Sequence, residues 1–555
     1  MDIGPPRLAS WPVCFDLKKA FIDMLLAARP SILSMIAALA LAVATLIAPA
    51  SATAQAFSAL RQAIAEASAI DEDLAQFYRE RDFEPVWTVS AAAERRNALL
   101  EALEEAGNHG LPTSRYDPEI LRQAFRDATN PYMRGQADVL ASRMFLQYAH
   151  DVNSGMLDPE NITPGIVHTV QRLESVALMN DFVDSMPHVF IAGLPPQHPE
   201  YNRLMRTKLH LERVIDAGGY GPTVQSGALA PGDAGNAVVQ MRNRLIAMGY
   251  LTRSASATYD AQLQTAISEF QADNGLTADG VAGSGTMQAL NRSAEDHLTE
   301  VIVAMERQRW LNVERGARHI FVNITDFHVN VIDNEEITFT TRSVVGAQAA
   351  DRRTPEFSDM MDHMVINPSW YVPRSIAMRS YIPNILAGGS TYLELSQGGQ
   401  AISPASVDMS QYSVSNFPFD LRQPPGPRNA LGFVKFMFPN QWNIYLHDTP
   451  EDHLFSREVR TYSSGCVRLA DPFDFAYTLL AAQEDDPQGF FNRILDSGQE
   501  TRVDLETPLP VHITYWTAWV TPDGRLNLRD DIYGRNAVVR AAILDAGVAV
   551  RGVNG

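Results

Sequence analysis

The chain has 555 residues, 46% apolar and 20% charged, enough hydrophobic material for about three or four domains of ~150 residues each and unlike a disordered polymer. Its 45 basic and 65 acidic residues leave a formal charge of −20, which excludes nucleic acid as a partner and docking on anionic lipid, since both need a cationic surface. Two cysteines, Cys14 and Cys466, exclude a disulfide framework and a Cys-rich zinc module.

In chain order, Ser31–Ala48 is an uncharged run of 18 residues, preceded by Lys18, Lys19 and Arg29 and succeeded by the small-residue stretch ASATAQA. That order of basic, apolar and small segments reads as an export signal spanning 1–56, cleaved near Phe57. An uncleaved membrane anchor is the alternative, because the run just reaches spanning length. The exported part works where thiols tend to be oxidised. Once Cys14 leaves with the signal, Cys466 has no disulfide partner within the chain, and is either an inert buried residue or a nucleophile.

Residues 57–225 carry helical periodicity in FSALRQAIAEA, RNALLEALEEAG and ADVLASRMFLQYAHDV, as expected of a helical scaffold. A Gly/Ala/Pro-rich linker at about Ser226 opens a compact unit, 226–296. There Val238, Met241, Leu245 and Met248 line one helix ended by Gly249, while Tyr259, Leu263, Ile267 and Phe270 line a second, and MQAL reads as a third. From 297 to 500 the signal turns to strands in HIFVNI, FHVNVI, ITFTTRSVVG, GFVKFMF and NIYLHD. Residues 379–429, rich in Gly, Ser, Gln and Pro, interrupt these strands and are too long for an ordinary connection, which predicts an inserted lid subdomain. Asp471 is placed to cap a helix that starts at Pro472. Residues 501–555 read as a C-terminal extension packed on the scaffold or the catalytic domain. The fold class is therefore multidomain α+β.

The stretch YLHDTPEDHLFSREVRTYSSGCVRLADP places His447 19 residues before Cys466. A thiol needs a base to become thiolate at neutral pH, and an imidazole can take that proton. Gly465 has no Cβ to forbid unusual backbone angles or close approach of a substrate carbonyl, and backbone N–H groups at such a turn suit an oxyanion. Arg468 adds a charge that favours thiolate and can grip a carboxylate. A metal site with Asp452 and His453 is disfavoured, since the His447–His453 spacing fits neither an HExxH helix nor a close zinc pair. Trp370, Tyr371 and Arg374, in the turn-rich PSWYVPR, line a substrate groove or are ordinary packing. Spacing alone leaves a buried cysteine as the rival reading.

Two resemblances add to these residues. The string FQADNGLTADGVAGSGTMQAL resembles the peptidoglycan-binding domain 1 family. YLHDTP, then LFSREVR and SSGCVRL, resembles the catalytic domain of L,D-transpeptidases (YkuD type), and with RTPEFSD, INPSWYVPRSIA and PVHITYWTAWV it is similar to large periplasmic members of the YcbB type. The resemblance implies a mainly-β catalytic domain with Cys466 as nucleophile and His447 as general base and acid. Oxyanion donors would come from Gly465 and the Cys466 backbone, with Tyr445 as a further wall or donor, Ser464 and Arg468 ordering loop or substrate, and Trp370 lining the site. The group that orients His447 stays open between a backbone carbonyl and a serine hydroxyl, with no acidic third member evident apart from neighbouring Asp448. It further implies 3→3 cross-linking of peptidoglycan stem peptides, donor and acceptor, through a thioester with release of D-alanine. Carbapenem-type β-lactams would be covalent inhibitors, glycan contact would run through 226–296, the location would be the periplasm, and no cofactor would be required. An L,D-carboxypeptidase using the same thioester and a non-catalytic wall-binding scaffold are the alternatives.

Overall fold

The computed structural model describes residues 58–389 and 392–550, so the export segment lies outside the described residues. Among these, no helix is long and apolar enough to cross a membrane. The chain divides into two compact units, one comprising residues up to Ala93 with Ile120–Ser142, the other Glu94–Glu119 with the chain from Arg143 onward.

The first unit is helical. Asp71 caps helix Glu72–Glu80 by accepting from the Leu74 N–H, and Leu74, Phe77 and Tyr78 are buried on one face. Its organising polar group is Asp138, fully buried. That carboxylate accepts from the N–H groups of Val86, Trp87 and Thr88 at 2.9, 3.0 and 2.8 Å and from the Tyr78 hydroxyl at 2.8 Å. A buried carboxylate so fully satisfied is structural.

In the second unit, helices Asn236–Ala247, Ala261–Asp273 and Ser284–Leu290 enclose a small core of Val238, Met241, Leu245, Leu263, Ile267 and Phe270. Gly249, at φ 90°, reverses the chain after the first of them. Tyr259 fills the same core but precedes the helix, whose cap is Asp260. Helix Ala294–Trp310, opened by a Ser293/Asp296 capping box, leads from the module into the strands.

Strands β1 (Arg318–Asn323), β2 (His328–Asp333), β3 (Glu336–Gly346) and β4 (Phe357–Ile366) begin the sheet. A subdomain with strands β5 (Trp370–Tyr371), β6 (Glu394–Gln397), β7 (Gln400–Ile402) and β8 (Asp420–Gln423) intervenes. Then come β9 (Val434–Met437), β10 (Leu446–His447), β11 (Thr461–Ser463), β12 (Val467–Leu469) and β13 (Thr501–Thr514). The main sheet runs β11-β3-β12-β10-β9-β4-β13-β1-β2, and an added β2–β3 pairing closes it. Its interior holds Val322, Val329, Met364, Phe436, Leu446 and Val467.

Three sequence expectations change here. Strand β13, read as part of an extension, pairs with β4 on one edge and parallel to β1 on the other, so it is a central strand of the main sheet. Beyond β13 lie a hairpin of β14 (Ala518–Val520) and β15 (Leu526–Leu528), Tyr533, which is buried in the core of the main sheet, and helix Arg535–Asp545, whose Val539 and Ile543 pack with Val301 and Ile302. Asp471 precedes its helix but does not cap it, because its carboxylate accepts from the Thr341 hydroxyl at 2.8 Å instead. The inserted subdomain begins earlier than its Gly/Ser/Gln-rich composition suggests, since β5 at Trp370–Tyr371 already belongs to its sheet, ordered β5-β8-β6-β7. It folds around a core of its own, with Ile382, Leu395, Phe417, Phe419 and Leu421 buried.

Candidate active site

Strands β10 and β12 are parallel neighbours, with Leu446 opposite Val467 and His447 opposite Arg468. The pairing extends one step back, where the Val467 N–H donates to the Tyr445 carbonyl at 3.1 Å. Leu446 and Val467 are buried in the core, so the alternation of a pleated strand turns Tyr445, His447 and Cys466 toward the other face together. All three line one cavity of about 550 Å³, with Trp370, Ser464 and Arg468. Two strands and a turn thus bring together residues 19 positions apart in the sequence.

His447 is 4% exposed. Its Nδ1 lies 2.5 Å from the Asp448 carbonyl, and since a carbonyl can only accept, Nδ1 carries the proton and Nε2 is left as the acceptor. The backbone, not a serine, therefore orients the imidazole. The Asp448 carboxylate is occupied elsewhere, accepting from the Phe433 and Thr449 N–H groups at 2.7 and 2.6 Å. Burial first, then the Arg468 charge, lower the His447 pKa to about 3.

Cys466 is half-buried, and its Sγ donates to the Asn443 carbonyl at 3.5 Å. Burial pushes the thiol up to about 11, against hydrogen bonding from Tyr445 and the positive charge of Arg468. The Arg468 charge, which is also ion-paired to Glu451, pulls the thiol down, but burial outweighs it. At neutral pH both partners rest uncharged: a thiol and an imidazole whose Nε2 is ready to accept. The Tyr445 phenol, 5.6 Å from the imidazole between ring centroids, is itself pushed well above its ordinary pKa, by burial and then by Cys466. It is a donor at any physiological pH.

The turn that carries Cys466 is held by its own side chains and by the residues beneath it. Ser463 Oγ donates to the Cys466 carbonyl at 2.5 Å and accepts from the Gly465 N–H at 3.1 Å. That bond corrects the expectation that Gly465 contributes an oxyanion N–H, since its N–H is already committed. What position 465 requires is a φ of 126°, and a Cβ there would also meet Ile444 Cδ1 at 3.1 Å. The Gly465 carbonyl accepts from the Thr354 hydroxyl at 2.7 Å, and the same Thr354 oxygen accepts from the Gly346 N–H at 2.9 Å. Tyr533 Oη donates to the Gly346 carbonyl at 2.5 Å, and Arg535 Nη2 to the Thr354 carbonyl at 2.9 Å. Arg535 in turn pairs with buried Glu356 at 2.9 Å, as does Arg307 at 2.8 Å.

Sequence reasoning missed this support, in which Thr354 and Gly465 are 111 positions apart. It also missed Asn440, whose side chain accepts from the N–H groups of Trp442 and Ile444, both at 3.1 Å, and so shapes the turn that presents the Asn443 carbonyl. Asn443 itself sits at φ 54°, which asparagine tolerates better than most residues. The paired asparagines of NQWN were a readable turn signal.

Of the groove candidates, Trp370 lines the cavity and is 8% exposed. Tyr371 is 70% exposed and lies beside Arg422, while Arg374 donates to the Phe417 carbonyl inside the inserted subdomain; neither reaches the cavity. Ser464 accepts from Arg379 Nη2 at 3.0 Å, and Arg379 Nη1 also pairs with Asp351 at 2.9 Å. The inserted subdomain thus touches the residue two before the thiol.

A closed sheet that presents a histidine at the end of one strand and a cysteine at the entry of its parallel neighbour, beside a three-helix module, defines a multidomain α+β protein with a thiol-centred site. Residues 317–505 match the model of the L,D-transpeptidase catalytic domain (YkuD), 234–290 that of a peptidoglycan binding domain, and 72–207 that of a scaffold domain. Residues 317–505 are thus similar to the L,D-transpeptidase catalytic domain of the YkuD type, and residues 234–290 to a peptidoglycan binding domain. A Haemophilus influenzae protein bearing the name L,D-transpeptidase is 31% identical over 303 residues, 53% of this chain and 59% of that protein. Among solved structures, an L,D-transpeptidase from Xylanimonas cellulosilytica is 14% identical at a TM-score of 0.16, covering 53% of this chain and 98% of its own. One from Stackebrandtia nassauensis is 14% identical at a TM-score of 0.19, covering 53% and 97%.

Proposed function

We propose that this protein is an exported L,D-transpeptidase that forms 3→3 cross-links between peptidoglycan stem peptides. The observation that carries the reading is that His447, on β10, and Cys466, in the turn that enters the parallel strand β12, face one cavity, with the imidazole tautomer fixed for accepting a proton.

The chemistry is a two-step acyl transfer. As Sγ attacks the carbonyl between residues three and four of a tetrapeptide, its proton passes to His447 Nε2 and a carbon–sulfur bond forms. Negative charge on the carbonyl oxygen is met by the Cys466 N–H and the Tyr445 hydroxyl. Collapse breaks the carbon–nitrogen bond, and the imidazolium returns its proton to the departing amine of D-alanine, leaving a thioester. In the second step Nε2 takes a proton from the side-chain amine of an acceptor stem, of the meso-diaminopimelate type. The new amide forms as the carbon–sulfur bond breaks, and the thiolate recovers the proton.

Starting from a neutral pair keeps the thiol protonated until a carbonyl arrives. Contact of the inserted subdomain with the nucleophile turn, through Arg379 and Ser464, supports a lid that excludes water so that an amine competes for the thioester. Export to the periplasm places the enzyme with its substrate, and carbapenems acylate the same sulfur. The test is purified protein with disaccharide-tetrapeptide, products separated by mass. Cross-linked dimers are expected; tripeptide alone would make the enzyme an L,D-carboxypeptidase, and unchanged substrate would remove both activities.

A further inference from the structure

A second cavity of about 700 Å³, larger than the one holding Cys466, opens where three distant stretches of the chain meet. One wall is helix Pro199–Asp216, which places Arg203, Arg206 and His210 at i, i+3 and i+7 on a single face lining the cavity. The opposite wall combines the binding module, through Tyr250 and Phe270, with the β14–β15 hairpin, through Arg525.

The charges on the two walls are handled differently. Arg525 is neutralised, with Glu269 at 3.1 Å, Asp523 at 3.2 Å and Asp273 at 3.6 Å. Arg203 is anchored by its Nε, which donates to the Val520 carbonyl at 2.8 Å, and Arg206 Nε contacts only the Asn202 carbonyl of its own helix at 3.3 Å. Among the described residues, no carboxylate pairs with either guanidinium. In a chain of net charge −20, two adjacent cavity-facing arginines left without acids are a poor packing device but suit an anionic ligand. The rest of the lining includes aromatic rings. Tyr250 meets Phe270 edge to face at 5.4 Å, and the Tyr220 hydroxyl lies 3.1 Å from His297 Nδ1. Guanidinium groups and aromatic rings lining one cavity match a ligand that has both carboxylates and pyranose or alkyl surface.

We propose that this cavity is a second peptidoglycan site, which grips a muropeptide through its carboxylates at Arg203 and Arg206 while the thiol site works on another stem. This rests on the peptidoglycan reading above. It assigns the grip to the scaffold helix and the C-terminal hairpin as much as to the binding module, and so gives those segments a role in holding substrate.

The probe is disaccharide-tripeptide, which has no fourth residue to release, titrated calorimetrically into the wild type and Arg203→Glu/Arg206→Glu. Loss of one binding event, or its weakening by at least tenfold, is expected in the double variant. Free tripeptide and peptide-free disaccharide, titrated in parallel, show which part supplies the contacts. Carbapenem acylation of Cys466 is measured on the same proteins and should match wild type, and the melting temperature shows that each variant is folded. Equal stoichiometry and affinity in the two proteins would overturn the second site. Absence of a carbapenem adduct in the wild type would instead strike the transpeptidase reading, leaving the binding comparison intact. If the double variant fails to fold, Arg206→Glu alone decides, because that side chain is exposed and contacts only its own helix.

Discussion

Replacing Thr354 by valine removes one buried oxygen at nearly constant volume. Thr354 is fully buried, and its hydroxyl bridges two backbone groups, accepting from the Gly346 N–H and donating to the Gly465 carbonyl. Thr354→Val leaves both without a partner and out of reach of water. An unsatisfied buried polar group costs ~1–3 kcal/mol, so with two such groups the variant should lose about 2–6 kcal/mol of stability. Both groups border the turn that carries Cys466, so the loss is local. If ~1.4–2.7 kcal/mol of it appears as misplacement of the nucleophile, acylation slows by about 10- to 100-fold. The assay is the rate of carbapenem adduct formation by intact mass, beside urea unfolding. Thr354→Ser, which keeps the hydroxyl, should recover most of both. A valine variant that unfolds earlier yet acylates at the wild-type rate would refute the idea, because the bridge would then support the fold and not the nucleophile.

Alkylation of Cys466 by iodoacetamide, without substrate, should climb about tenfold per pH unit from pH 6 to 9, as a thiol raised to about 11 demands; a plateau from pH 5 upward would reveal a resting thiolate–imidazolium pair. Stability should fall in acid: His297 and His447 are lowered from 6.5 to about 3, and His168 and His512 to about 4. The unfolded chain then binds protons that the folded one refuses. The contribution of these histidines is complete above pH 6.5 and drains as pH falls toward 3–4, by at most ~1.4 kcal/mol per pH unit for each. Urea midpoints at pH 7.5 and 5 measure it, and equal midpoints would contradict it. Arg379→Ala unties the inserted subdomain from Ser464 and Asp351; product analysis should show a several-fold shift from cross-linked dimer to tripeptide, and an unchanged ratio would deny the lid its role.

The legible part of the sequence is the local part. Helical periodicity located the binding module because Val238, Met241 and Leu245 recur within one helix, and β-branched runs located most of the sheet. Strand β13 was misplaced because VHITYWTAWV declares a strand but not its neighbours; only its pairing with β1, which sets Val511 beside Ile320, and with β4 makes it central. The thiol and imidazole were found through their motif, whereas their charge state was not, since desolvation depends on what the fold stacks around them. Gly465 was singled out correctly for its conformation and incorrectly for its N–H, which Ser463 captures. Thr354, Tyr533 and Arg535 carry no local mark of their task. Each reads as an ordinary polar residue until the sheet closes and brings it under the turn.

The central claim is that Cys466 carries the acyl group and His447 moves the proton. Mixing the purified protein with disaccharide-tetrapeptide, quenching in acid and mapping the adduct by peptide mass tests it most directly. A mass equal to the substrate less D-alanine, confined to the peptide containing Cys466, is predicted in the wild type, with none in Cys466→Ala and far less in His447→Ala. An adduct that forms on another residue, or persists when the sulfur is gone, would contradict it.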